Sequence, residues 1–229
     1  MAIIYAGTKD GQAVNLVFGG TWEGCRDATA STYALTGGRA ARDAVATLYL
    51  PKGAGLHVIS RTFLDFNTIS ISVEPTAVSL FLKTRSNNGA SFFVLDHIDR
   101  PLAWGTTDFD TIGGWNATGA NADGDGAGDN ESLVTKLSAE VTSIAADGSY
   151  TEIPLLPKAL AIMKDEDYLK VALVESVHDL RDEDNGLDAS TFQTGFYFSD
   201  SPGTSNNPYI EYTPAVSAAD NATFFGANF

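Results

Sequence analysis

The sequence predicts an all-β fold, an antiparallel β-sandwich with one short helix and long loops. Apolar residues recur with a period of two over most of the chain, the signature of strands whose side chains alternate between two faces. Turn signals separate the apolar segments at short intervals: Asn87-Asn88-Gly89, Asp147-Gly148, Asn185-Gly186 and Pro202-Gly203. Many short strands with such punctuation point to a sandwich or barrel.

In chain order, the first expected strands are 44–50 (AVATLYL) and 59–66 (ISRTFLDF), with Thr62, Leu64 and Phe66 on one face of the latter. Over 77–83, Val78, Leu80 and Leu82 point one way, and Ser79, Phe81 and Lys83 the other. Further strands are expected at 92–95, 133–144, 168–175, 192–198 and 209–213. The one helix starts at Pro157, which suits a first helical turn, and runs through Lys158-Ala159-Leu160-Ala161-Ile162-Met163. No linker or repeat divides the chain, so a single domain is expected over 1–214, followed by a tail over 215–229.

Composition narrows the function classes. Of 229 residues, 44% are hydrophobic and 19% charged, which supplies a core and excludes a disordered chain. The net charge of −15 argues against a nucleic-acid partner, whose phosphates are neutralised by Lys and Arg, and against anionic lipid. No apolar run approaches the ~18 residues of a membrane span, so no membrane insertion is expected. The start, Met1-Ala2-Ile3-Ile4-Tyr5-Ala6-Gly7, lacks a basic region and a full apolar stretch, so no signal peptide is expected. The single cysteine, Cys25, permits no intrachain disulfide.

The strongest chemical signal is Asp123-Gly124-Asp125-Gly126-Ala127-Gly128-Asp129-Asn130-Glu131. Alternate carboxylates between glycines let a loop curl around a hard cation, and Asp123, Asp125 and Asp129 are the candidate calcium ligands. The pattern breaks where Ala127 replaces a ligand and Val134 the closing Glu, so a solvated glycine-rich loop is the alternative. A second acidic group, Asp179, Asp182, Glu183, Asp184 and Asp188, reads as a solvated turn partly neutralised by Arg181. Trp22, Trp104 and Trp115 are candidates for stacking on sugar rings; the plainer reading is that they plug the ends of the core. His57, His97 and His178 match no metal-ligand spacing, and neither a nucleophile motif nor a phosphate-binding glycine loop is present. Cys25 has no placed histidine, and no catalytic residue is assigned. A non-enzyme is expected. Phe224, Phe225 and Phe229 crowd the tail, which either folds back on its own domain or docks on a neighbouring subunit.

A resemblance sharpens this. Arg61-Thr62-Phe63-Leu64-Asp65-Phe66, then the alternating segment 77–83, the helix at 159–163, the strand at 169–174, His178-Asp179-Leu180-Arg181, Phe198-Ser199-Asp200 and Pro208-Tyr209-Ile210-Glu211-Tyr212-Thr213 follow one another in order. Over about 40–213, this order resembles the jelly-roll modules of the DNRLRE family, which are related to carbohydrate-binding modules. Met1 to Gly7 and Asp129-Asn130-Glu131-Ser132 resemble members from tailed bacteriophages, marine ones especially. The resemblance implies a virion structural protein: a decoration, head-fibre or tail-fibre subunit, made in the host cytoplasm, with other virion proteins as partners. It implies a homo-oligomer, a trimer by analogy with phage fibres, that contacts host surface glycans. The alternative is a non-enzymatic carbohydrate-binding adhesin or module of a cell-surface protein. A hydrolase ranks last.

Overall fold

A computed structural model describes residues 1–8, 10–20, 22–36, 45–50, 55–97, 102, 105–115, 130–182, 191–199 and 204–215. Among the described residues the chain is mostly strand, in two antiparallel sheets. The first sheet has the order β1 (Ala2–Tyr5), β11 (Tyr209–Thr213), β6 (Ala77–Asn87) and β8 (Tyr150–Pro154). The second is built around β5 (Leu56–Asn67). Along one edge of β5 lies β2 (Gly11–Phe18), followed by β3 (Tyr33–Thr36). The other edge of β5 is divided. Its N-terminal half pairs with β4 (Val45–Leu50), which leads to β10 (Thr191–Phe196). Its C-terminal half pairs with β9 (Tyr168–Glu175), which leads to β7 (Phe92–Asp96).

The last residues of β6 also pair with β10, so this strand joins the two sheets. The register shifts between Gly195 and Phe196, where a glycine tolerates the irregularity. The turn after β6 is the one its Asn-Asn-Gly signal predicts: the Gly89 amide donates to the Asn87 side chain at 3.0 Å, and Gly89 has φ of 83°.

The sandwich core lies between the sheets. Val78, Leu80 and Leu82 of β6 meet Leu64 and Phe66 of β5, and Leu169, Val171 and Leu173 of β9. One end is closed by α2 (Pro157–Asp165), whose Ala159, Ile162 and Met163 face inward. Pro157 opens this helix where a missing N–H costs nothing.

A second core covers the opposite face of the β5–β9–β7 sheet. Ile59 and Phe63 of β5, Ala172 and Val174 of β9, and Phe93 and Leu95 of β7 point into it. They meet Trp22 and Cys25 of α1 (Trp22–Arg26), together with Phe109, Ile112, Val134 and Leu180 from connecting segments. Burial on both faces explains why β9 (YLKVALVE) reads as a nearly continuous apolar run rather than an alternating one.

The segment 133–144 is not the strand that its pattern predicts. It makes isolated bridges, Leu95 to Lys136, Phe92 to Val141 and Ser138 to Leu155. At its centre the Val94 amide donates to the Ser138 hydroxyl at 3.0 Å, so a side chain takes the place of a ladder carbonyl.

If β9 holds both cores together, truncating its fully buried Leu173 leaves an unfilled volume that the two-sided packing cannot close. Leu173→Ala is expected to cost about 2–5 kcal/mol in urea unfolding, whereas Ile69→Ala, at a largely exposed position, is expected to stay within about 0.5 kcal/mol.

Candidate functional site

The second core holds a cluster of buried, hydrogen-bonded polar side chains. Its centre is Arg61, which sits on β5 between Ile59 and Phe63 and is fully buried. A guanidinium taken out of water is tolerated only when paired and hydrogen-bonded. Arg61 meets both conditions. Its Nε and Nη2 donate to the Asp179 carboxylate at 2.9 and 2.7 Å, a two-pronged pair with both side chains fully buried. Nη1 donates to the carbonyl of Phe109 at 2.7 Å, and Nη2 also to that of Arg26 at 3.1 Å. The planar cation lies 3.9 Å from the centroid of the Trp115 ring and 4.0 Å from that of Phe109.

Local structure delivers each partner. Glu175 ends β9, and its carboxylate accepts from the backbone amides of Val177, His178 and Asp179 at 3.0, 2.7 and 3.0 Å. That cap starts the wide turn Ser176–Leu180, which swings Asp179 over the sheet. Burial raises the Glu175 carboxyl above its ordinary range, against the lowering effect of these amides. Trp115 arrives through Gly114, which has φ of 86°; a Cβ there would lie 2.2 Å from the carbonyl oxygen of Leu133, so only glycine fits.

Several other polar groups around this pair are also engaged. Arg26 Nε donates to the Asp179 carbonyl at 2.7 Å, and Arg26 Nη1 pairs with Asp27 at 2.7 Å. Burial foremost raises the Asp27 carboxyl, while the Arg26 charge lowers it. Trp22 is buried, with Nε1 donating to Asp182 at 2.9 Å and its ring edge-on to His57 and His178. Burial, with the Asp179 charge second, pushes the Cys25 thiol up to about 12, so at neutral pH it is no nucleophile. His97 stacks on Phe63 at 4.8 Å, with Nε2 3.1 Å from the Thr111 hydroxyl, and burial pushes its pKa down to about 3.

The acidic turn expected to be solvated is therefore divided. Asp179 and Asp182 are inside, paired with groups far away in sequence. Arg181 does not neutralise them: it pairs with Glu131 and with Glu140, the latter at 2.7 Å, in a partly exposed network that includes Lys136. Hydrogen bonds from Arg181 foremost hold both glutamates below the usual carboxylate range. Glu183, Asp184 and Asp188 lie outside the described residues.

Of the aromatic candidates, Trp22 is in the second core and Trp115 is partly buried against Arg61. Trp104, the calcium candidates Asp123, Asp125 and Asp129, and the tail residues Phe224, Phe225 and Phe229 all lie outside the described residues. Among the described residues, no group of three or more His, Cys, Asp or Glu side chains is placed to hold a metal ion, and no helix is long and apolar enough to cross a membrane. The sequence carries one signal for the cluster: an arginine at the centre of an apolar strand, which needs a buried partner.

Chemically, the cluster is a clamp. Its cations and anions neutralise one another, and its carbonyl contacts tie α1, the 105–115 segment and the Ser176–Leu180 turn to one strand. No protein-family model and no curated protein matches the chain.

His97 gives the clamp region a pH signature. Its folded pKa lies below the ordinary 6.5, so the stability from keeping it neutral is complete above pH 6.5 and is lost as pH falls toward about 3. The loss approaches about 1.4 kcal/mol per pH unit. Unfolding free energies measured from pH 7 to pH 4 are expected to fall more steeply for the natural chain than for His97→Gln; parallel curves would contradict this assignment.

Proposed function

We propose that the protein is a non-enzymatic structural subunit of a bacteriophage virion, a decoration, head-fibre or tail-fibre protein built on a jelly-roll module. The observation that carries this reading is the clamp. Arg61, Asp179, Glu175 and Arg26 spend their charge on fixing connecting segments to a sheet, which suits a rigid display module. The sequence resemblance to phage members of the DNRLRE family supports the same reading. The charge of −15 keeps displayed copies soluble. Homo-oligomeric display, as a trimer, would combine weak contacts through high effective concentration. A second reading, the carbohydrate-binding module of a cell-surface protein, is favoured by one observation: a cluster of aromatic rings on the outer face of the β1–β11–β6–β8 sheet.

Antibody-gold labelling of density-purified particles, combined with mass spectrometry of the same fraction, tests the assignment. Label at a repeated position on the particle, with a copy number divisible by three, is the expected result. Absence from particles together with label on a cell envelope would transfer the protein to the second reading.

A further inference from the structure

The outer face of the first sheet is polarised along its strands. β6 runs through it, and its outward residues in order are Ala77, Ser79, Phe81, Lys83 and Arg85, because Val78, Leu80 and Leu82 point into the core. Register places Tyr209 of β11 and Glu152 of β8 beside Phe81, and Glu211 of β11 and Pro154 of β8 beside Ser79. Glu152 leans along the strands toward Ser79, whose hydroxyl donates to it at 2.9 Å. The two carboxylates therefore flank Ser79, where with Ala77 and Thr213 they line a groove. The other end is basic. Lys83 donates to the Ser205 carbonyl at 3.2 Å, and Arg85 is exposed. An aromatic waist separates the two ends: Tyr209 stacks on Phe81 at 4.7 Å and meets Tyr5 at 5.8 Å and Tyr150 at 5.2 Å. At the side, the edge strand β1 carries no charged side chain, and its Ile3 and Tyr5 are half exposed.

An acidic end and a basic end on one strand make the face complementary to itself. A two-fold axis lying in the plane of contact, across β6 between Phe81 and Lys83, reverses the strand. It sets Arg85 of one copy over Ser79 of the other, between Glu152 and Glu211, and Lys83 over Phe81. Each such pair forms twice, as a two-fold contact requires. The same operation lays Ile3 and Tyr5 of β1 against β1 of the second copy, which removes exposed apolar surface from water.

We infer that this face is a contact between two copies of the chain, packed sheet on sheet about a two-fold axis. Charge selects that occupant. A uniformly basic partner would oppose Lys83 and Arg85, and a uniformly acidic one would oppose Glu152 and Glu211. A reversed second copy avoids both conflicts. The net charge of −15 opposes self-association, but at physiological ionic strength exposed charges more than about 8 Å apart are largely screened, so the adjacent pairs dominate. A four-stranded face is small for an interface, so the contact is weak and concentration-dependent. The inference rests neither on the virion reading nor on its trimer. A trimer formed through other surfaces is joined in pairs by this contact, so breaking it halves the mass in either case.

Sedimentation equilibrium of the purified full chain at rising concentration tests the contact. The natural chain is expected to associate. Lys83→Glu combined with Arg85→Glu is expected to sediment at half the mass, and so is Glu152→Lys combined with Glu211→Lys. All four substitutions together are expected to restore the full mass, because the charges are then exchanged across the two-fold axis. Restoration separates a lost contact from a damaged fold, and circular dichroism checks each variant. If one pair of substitutions unfolds the chain, the other pair still reads the contact. A natural chain that stays monomeric at every concentration, the outcome if its own residues 216–229 or a different protein cover the face, would overturn the inference. So would a mass that neither pair of substitutions changes, or a folded fourfold variant that remains at half mass. None of these outcomes bears on the particle labelling, which reads location and not association.

Discussion

Arg61 and Asp179 meet in full burial on the face of a sheet turned away from the sandwich core. A charge taken out of water there is tolerated only if a partner and further hydrogen bonds are fixed in place. Both requirements fall on segments that are not strands. The Ser176–Leu180 turn brings the anion, while α1 and the 105–115 segment bring carbonyls and the aromatic faces that cover the cation. Each segment in turn needs the pair, since a helix of five residues and a short connection have little stability of their own. The pair is better understood as a specifier than as a source of free energy. Apolar replacements of buried ion pairs are often as stable, but loss of one partner strands the other charge.

The two-sided sheet follows from this arrangement. β5 and β9 send alternate side chains into two cores, so their rigidity is set from both faces. The outer face of the β1–β11–β6–β8 sheet belongs to neither core, and it carries rings and carboxylates in register.

Much of the fold was legible because periodicity reports burial. The limits of β9 and β11 coincide with the apolar runs that predict them, and Pro157 marks the start of α2. β2 (GQAVNLVF) escaped because Gln12 and Asn15 are buried within it, Asn15 donating to the Cys25 carbonyl at 2.7 Å, so polarity no longer marks its exposed face. β1 and β3, four residues each, are too short for a period to show. The clamp was legible only in halves. Arg61 opens the segment Arg61–Phe66 and Asp179 lies within His178–Arg181, 118 residues away from it, and nothing local announces that they pair. Asp179 and Asp182 looked solvated because acidic neighbours usually are; their cationic and indole partners come from β5 and α1.

The central claim is that the Arg61–Asp179 pair holds the second core closed as a unit. A double-mutant cycle in urea, with Arg61→Met, Asp179→Leu and both together, measures this most directly. Each single variant is predicted to lose about 3–5 kcal/mol, because each leaves an uncompensated buried charge. The double variant is predicted to lose clearly less than the sum, with a coupling of about 2–3 kcal/mol. Single losses below about 1 kcal/mol, or strict additivity, would show that the two residues do not act as the clamp described.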